Sequence, residues 1–228
     1  MPRLKKERPD EKDLEILAAL YYLGEATASD LEKLAEKLNL ETKGAFESFY
    51  LSKASISDRL KWLTERGYLT EPEMDITTGR LRKVYKAPNK EVLKELVLDW
   101  YRREIYEPIT EEFVVSVEEG YTAYKDYPPE KVYEDDRAET LTLESAKNLK
   151  KLRKGTTPEE AAKIFESFSE LFGYEMAGLI AVENGTVKLT EKGLKTVISN
   201  WTKEITEKLK ELKELDEETF RKILSHFC

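Results

Sequence analysis

The sequence predicts a mainly α-helical chain that carries small β-hairpins. Three observations point there. Apolar residues recur at spacings of three and four in successive segments, each closed by a capping residue, a glycine or a proline. Short extended arms flank "TTGR" at 77–80 and "NG" at 184–185, both turn sequences suited to hairpins. Apolar residues make up 40% of the 228, enough to bury a core in one large or two small domains.

Residues 1–11 are polar and basic and read as a frayed end. A helix follows over about 12–23, with Ile16, Leu20 and Leu23 on one stripe, widened by Leu17 and Tyr21. Gly24 stops it. "TASD" then offers Thr27 as N-cap with Asp30 three residues on, a capping-box pattern. Leu31, Leu34, Ala35 and Leu38 give helix two its buried face. Residues 41–51, "ETKGAFESFYL", read as a loop with one helical turn whose aromatics, Phe46, Phe49 and Tyr50, plug into the core.

Ser52 caps a third helix over about 53–66. Ile56, Leu60 and Leu63 turn inward, and Gly67 ends the helix as the residue beyond its C-cap. Two arms around "TTGR" make a hairpin up to residue 87, and Pro72 suits only an edge strand. A helix is predicted over 88–106, broken by Pro108. Residues 110–140 are acidic and tyrosine-rich, with Pro128 and Pro129 marking a linker. A short helix over 143–154 closes at Gly155.

Thr157, Pro158 and Glu160 then restart the chain as N-cap, N1 and N3. The helix they open buries Ile164, Phe165, Phe168, Leu171 and Phe172. The Asn184-Gly185 hairpin follows, then a long helix over 190–214 and a short one over 216–226. The chain divides on this basis into 1–87, a linking stretch 88–140, and a helical part with a hairpin at 141–228.

Charge is unevenly placed. The net charge is −8, yet residues 43–90 hold 10 basic against 6 acidic groups, and everything after residue 90 holds 21 against 30. A polyanion would be met by the first third and repelled by the rest. One cysteine, Cys228, excludes an internal disulfide and fits an intracellular protein. Neither a signal peptide nor a membrane-spanning run is visible, so a cytoplasmic location is expected. Abundant Lys and Glu without any glutamine is a thermophile's composition.

Three helices followed by a hairpin over residues 12–87 is the order of a winged helix-turn-helix, in which the third helix enters a DNA major groove. The inward stripe packs on helices one and two. Lys53, Ser55, Ser57, Asp58 and Lys61 are left facing outward, with Arg59 flanking them. Hydroxyls and lysines there suit phosphates and base edges. The wing at 76–86 carries Arg80, Arg82 and Lys83, placed to reach the adjacent backbone or minor groove.

"SKASISDRLKWLTERGYL" followed by "TTGRLRKVYK" resembles the recognition helix and wing of MarR/ArsR-type transcription regulators, archaeal ones in particular. The resemblance covers about residues 12–87. It implies a sequence-specific regulator acting on double-stranded DNA. The chain departs from that family at 41–51, where the join between helices two and three is usually a few residues long. The alternative is a winged-helix interaction module within a replication, segregation or transcription complex, suggested by the acidic second half and the inserted aromatics.

The second half echoes the first in its capped helix and hairpin, but its hairpin holds a single basic residue, Lys188. A degenerate second winged helix used for packing or dimerisation is expected, against a plain helical domain with one hairpin. Leu194, Ile198, Trp201, Ile205, Leu209 and Leu212 line the long helix at mixed spacings, which suits either a core face or a dimer seam. A homodimer is attractive because two recognition helices on a two-fold axis read two half-sites. Tyr121, Tyr124, Tyr127 and Tyr133 suit loop packing better than a pocket for a small-molecule effector, which nothing else supports. His226 and Cys228 alone make no zinc site, and no phosphate-binding glycine loop is present. No catalytic residue, metal or cofactor is expected.

Overall fold

Asp10 and Asp13 cap one another at the start of α1 (Glu11–Leu23): each side chain accepts from the other's backbone amide. The helix therefore begins inside the stretch that sequence alone reads as frayed. The computed structural model describes residues 7–47, 49–76, 79, 81–101, 103, 143–195 and 197. Arg80 lies outside these residues. So do the tyrosine-rich stretch 110–140, most of the helix predicted over 190–214, and the final helix with His226 and Cys228. The described chain is mainly helical, with one three-stranded and one two-stranded antiparallel sheet.

Gly24, at φ 80°, turns α1 into β1 (Glu25–Thr27). Thr27 ends that strand and caps α2 (Ala28–Glu41) through the reciprocal bonds with Asp30 that the sequence suggests. Ser52 caps α3 (Lys53–Glu65) by accepting the Ser55 amide. The helix closes at Gly67, whose amide donates to the Thr64 carbonyl while that of Tyr68 donates to Leu63, the Schellman pattern. Strands β2 (Glu73–Asp75) and β3 (Arg82–Lys86) form the hairpin that follows. β3 lies in the middle, with Ala26 opposite Tyr85 on one side and Met74 opposite Lys83 on the other.

Helix α4 (Lys90–Tyr101) packs on α1 and buries Leu93 and Val97. The chain is described again from α5 (Leu143–Lys151), which runs through a 3-10 turn at Leu152–Lys154 to Gly155. Then come α6 (Pro158–Phe165), α7 (Phe168–Met176), β4 (Ile180–Glu183) and β5 (Thr186–Leu189). Asn184 and Gly185, at φ 50° and 71°, make the tight hairpin turn expected of that pair.

One expectation is corrected here. The apolar pattern after Thr157 reads as a single helix, but the chain breaks it in two. Glu166 adopts a left-handed conformation, φ 59°, and Ser167 begins α7 by accepting the Glu170 amide. The break lets Phe165 and Phe168 point into different parts of the core.

The two halves repeat one plan. In the first, a helix leads to β1, two capped helices and a hairpin whose second strand pairs with β1. In the second, α5 leads to Thr156, which bridges Val187 of β5, then to two capped helices and a hairpin. The caps match in kind, Thr27 with Thr157 and Ser52 with Ser167. Helix α7 also ends in a Schellman turn, at Gly178.

The halves share one core. Buried side chains from Leu14 to Val197 form a single cluster, and α7 lies along α1. Phe46 and Phe49, both fully buried, meet Phe168 edge-on at 5.8 and 5.6 Å between ring centres. Phe46 and Phe49 of the 41–51 insert thus plug into the core as the sequence predicts, with the start of α7 as their socket, whereas Tyr50 is corrected to an exposed position.

Candidate nucleic-acid interface

The inward face of α3 is settled by Ile56, Leu60 and Leu63, none of which touches solvent. Burying each stabilises the packing by about 1.5–3 kcal/mol, which fixes the rotation of the helix. Lys53, Asp58 and Lys61 are consequently exposed, and Ser55 and Ser57 sit half-buried at the edges of the outward face. Lys61 reaches Glu65 at 3.7 Å in an exposed pair one turn apart, an interaction too weak to hold the lysine from another anion.

Arg59 departs from its expected place. Its guanidinium turns toward α1 and lies 2.7 Å from both Asp10 and Asp13, and the Asp13 side chain is fully buried. The reason is rotational. Position 59 sits between Ile56 and Leu63 on the inward side, so a long side chain there reaches the neighbouring helix. Arg59 anchors α3 and is withdrawn from the outward face.

On the hairpin, Arg82 stands opposite Asp75 and Lys83 opposite Met74, and both basic side chains are exposed. Asp30 of α2 lies within Arg82's field. Burial works against its charge, but the Thr27 hydroxyl and amide outweigh that, and the carboxyl is held below its usual range. Lys86 is engaged between Glu25 and Glu73, so the basic character of the hairpin rests on Arg82 and Lys83 among the described residues.

Glu32 is the participant that sequence reasoning missed. Its carboxylate accepts the Lys53 backbone amide at 2.7 Å. An acidic group therefore sits at the positive end of α3, where it lowers the potential that a phosphate would meet. The only signal in the sequence is its place on α2, one residue beyond the buried Leu31.

Two buried carboxylates join the halves. Glu15 of α1 is 1% exposed and accepts from the amides of Phe168 and Ser169 and the hydroxyls of Ser167 and Ser169, capping α7. Burial pushes its pKa up, against the pull of those donors. Glu175 of α7 accepts the hydroxyls of Tyr21 and Tyr22, each at 3.0 Å, and the Lys90 ammonium at 2.5 Å. With Phe168, Leu171, Phe172 and Tyr174 also buried, α7 is more deeply enclosed than α3, which exposes Lys53, Asp58 and Lys61.

Glu41, Glu159 and Glu160 bring three carboxylates together, the grouping nearest to a metal-ligand set among the described residues. Lys163 pairs with all three and Lys37 with Glu159, so the cluster is an ion-pair network between α2 and α6. No helix among the described residues is long and apolar enough to cross a membrane. Compared with known protein-family models, curated proteins and solved structures, the chain matches none.

Proposed function

We propose that the chain is a winged helix-turn-helix regulator of transcription that binds double-stranded DNA. Helix α3 enters the major groove, and the β2–β3 hairpin lies on the adjacent backbone or minor groove. Lys53, Lys61, Arg82 and Lys83 meet phosphates or base edges, with Ser55 and Ser57 at the margin of the contact. Arg80 belongs to the same wing in sequence.

The observation that carries this proposal is the exposure of Lys53, Asp58 and Lys61 on the outward side of α3, followed along the chain by a hairpin with two exposed basic residues. The insert that could have covered that side sends Phe46 and Phe49 into the core instead. The second half repeats the plan with its third helix packed on α1, and residues after 90 are net acidic. In this proposal the second unit is a winged helix that supports the first and stays off the DNA. Binding as a homodimer would set two copies of α3 on half-sites about one helical turn apart.

A protein-interaction module remains the competing proposal: of its two motives, the acidic second half stands and the inserted aromatics have weakened. Of the inserted aromatics only Tyr50 is exposed. A salt titration of binding to duplex DNA separates the two. Affinity should fall linearly on a log–log plot, and Lys53→Ala/Lys61→Ala or Arg82→Ala/Lys83→Ala should each lower the slope by roughly 1–2. Absence of binding at low salt would overturn the proposal and favour the interaction module.

A further inference from the structure

Three of the seven large apolar side chains exposed among the described residues lie on one short hairpin: Met74 at 50%, Ile76 at 66% and Leu81 at 63%. Their placement follows a rule. In the observed register Met74 stands opposite Lys83 and Asp75 opposite Arg82. Ile76 and Leu81 are the residues next beyond the last pair, just outside the two strands. Side chains alternate between faces along a strand, so Met74 and Lys83 share a face, with Ile76 and Leu81 next in that alternation, while Asp75 and Arg82 occupy the other. Gly79, at φ 74°, gives its amide to the Ile76 carbonyl and turns the chain between them. The outcome is a narrow apolar ridge with a lysine at its root.

We infer that this ridge is a wedge for the DNA minor groove, with Ile76 and Leu81 entering a base step and bending the duplex. The inference rests on the DNA-binding proposal above and adds a mode of contact to it. Two features favour DNA as the occupant. The ridge is continuous with the exposed basic residues Arg82 and Lys83, which meet phosphates on either side of a groove. It is also small. Three side chains cannot supply the roughly 1,000 Å² that a specific protein interface needs, whereas two apolar side chains suffice to unstack one step. The same smallness argues against a lipid surface, where anchoring grows with buried apolar area. Pyrimidine–purine steps unstack most readily, so the wedge selects a TA or CA step beside the site read by α3.

The test is energy transfer across a short duplex labelled at both ends and containing TA and CA steps, with wild type and Ile76→Ser/Leu81→Ser. Both residues are exposed, so the variant keeps its fold, which circular dichroism verifies. Wild type should bend the duplex. The variant should bind roughly tenfold more weakly, lose most of the bend, and keep the same salt slope, because no charge is removed. Equal bending by both proteins, with binding and salt slope intact, overturns the wedge and leaves the DNA-binding proposal standing. A change instead in sedimentation or in binding to anionic vesicles assigns the ridge to another occupant and also overturns it. Failure of wild type to bind any duplex at low salt overturns both.

Discussion

Arg59 of α3 lies 2.7 Å from Asp10 and from Asp13 at the start of α1, and the Asp13 side chain is wholly buried. One guanidinium therefore ties the third helix to the first cap of the chain. Removing it takes one cation away from the wholly buried Asp13 side chain. Arg59→Ala should cost about 3–5 kcal/mol of stability, read as a fall in the urea midpoint. Where the variant is still folded, its salt slope for DNA should match wild type. A shallower slope with unchanged stability would place Arg59 on the DNA after all.

Glu32 opposes the proposed partner. Glu32→Gln keeps an acceptor for the Lys53 amide but removes the charge at the start of α3. Duplex DNA should bind about two- to fivefold more tightly, measured by fluorescence anisotropy at low salt. Weaker binding would mean that the carboxylate assists recognition.

Gly193 has no room for a side chain. A Cβ there would lie 2.0 Å from the Leu179 carbonyl oxygen, which is backbone and cannot step aside. Gly193→Ala should destabilise the second hairpin by about 3 kcal/mol, seen as lost hydrogen-exchange protection at β4 and β5. Glu166 is the converse case. It holds a left-handed conformation without being glycine, and Glu166→Gly should stabilise the protein by up to about 1 kcal/mol.

Glu15 supplies a pH dependence with a definite sign. Its folded pKa lies above the ordinary value of 4.5 because burial opposes the charge. In the window between that value and the raised one, the native state holds more protons than the unfolded state, so this group's contribution falls as pH rises. Stability of wild type relative to Glu15→Gln should decline across that window and level off above it. A rise would mean that the four donors from Ser167, Phe168 and Ser169 outweigh burial.

Much of the fold was legible because it is local. The caps at Thr27, Ser52 and Thr157, the Schellman glycine at 67 and the Asn184-Gly185 turn are short-range chemistry, and each is found where the residues put it. Strand β1 was not legible. It is three residues long, too short for alternation to register, and it exists because β3 offers it an edge. The break at Glu166 was hidden because Phe165, Phe168 and Phe172 keep helical spacing across it. Only "SFSE", with Ser167 three residues before Glu170, carried a signal for a new cap.

The outward face of α3 was legible from the inward stripe, since Ile56, Leu60 and Leu63 leave one side for Lys53, Asp58 and Lys61. The fate of Arg59 depended on acids at the far end of another helix, and that of Phe46 and Phe49 on Phe168 in the second half. Neither partner can be read from local spacing.

Helix α3 and the β2–β3 hairpin are proposed to form one DNA-contacting surface. Amide chemical shifts recorded as duplex DNA is added test it most directly. Shifts should concentrate at Lys53–Lys61 and Arg82–Lys83, with α6 and α7 unmoved. Shifts confined to the second half, or none at concentrations where binding is measured, would contradict it.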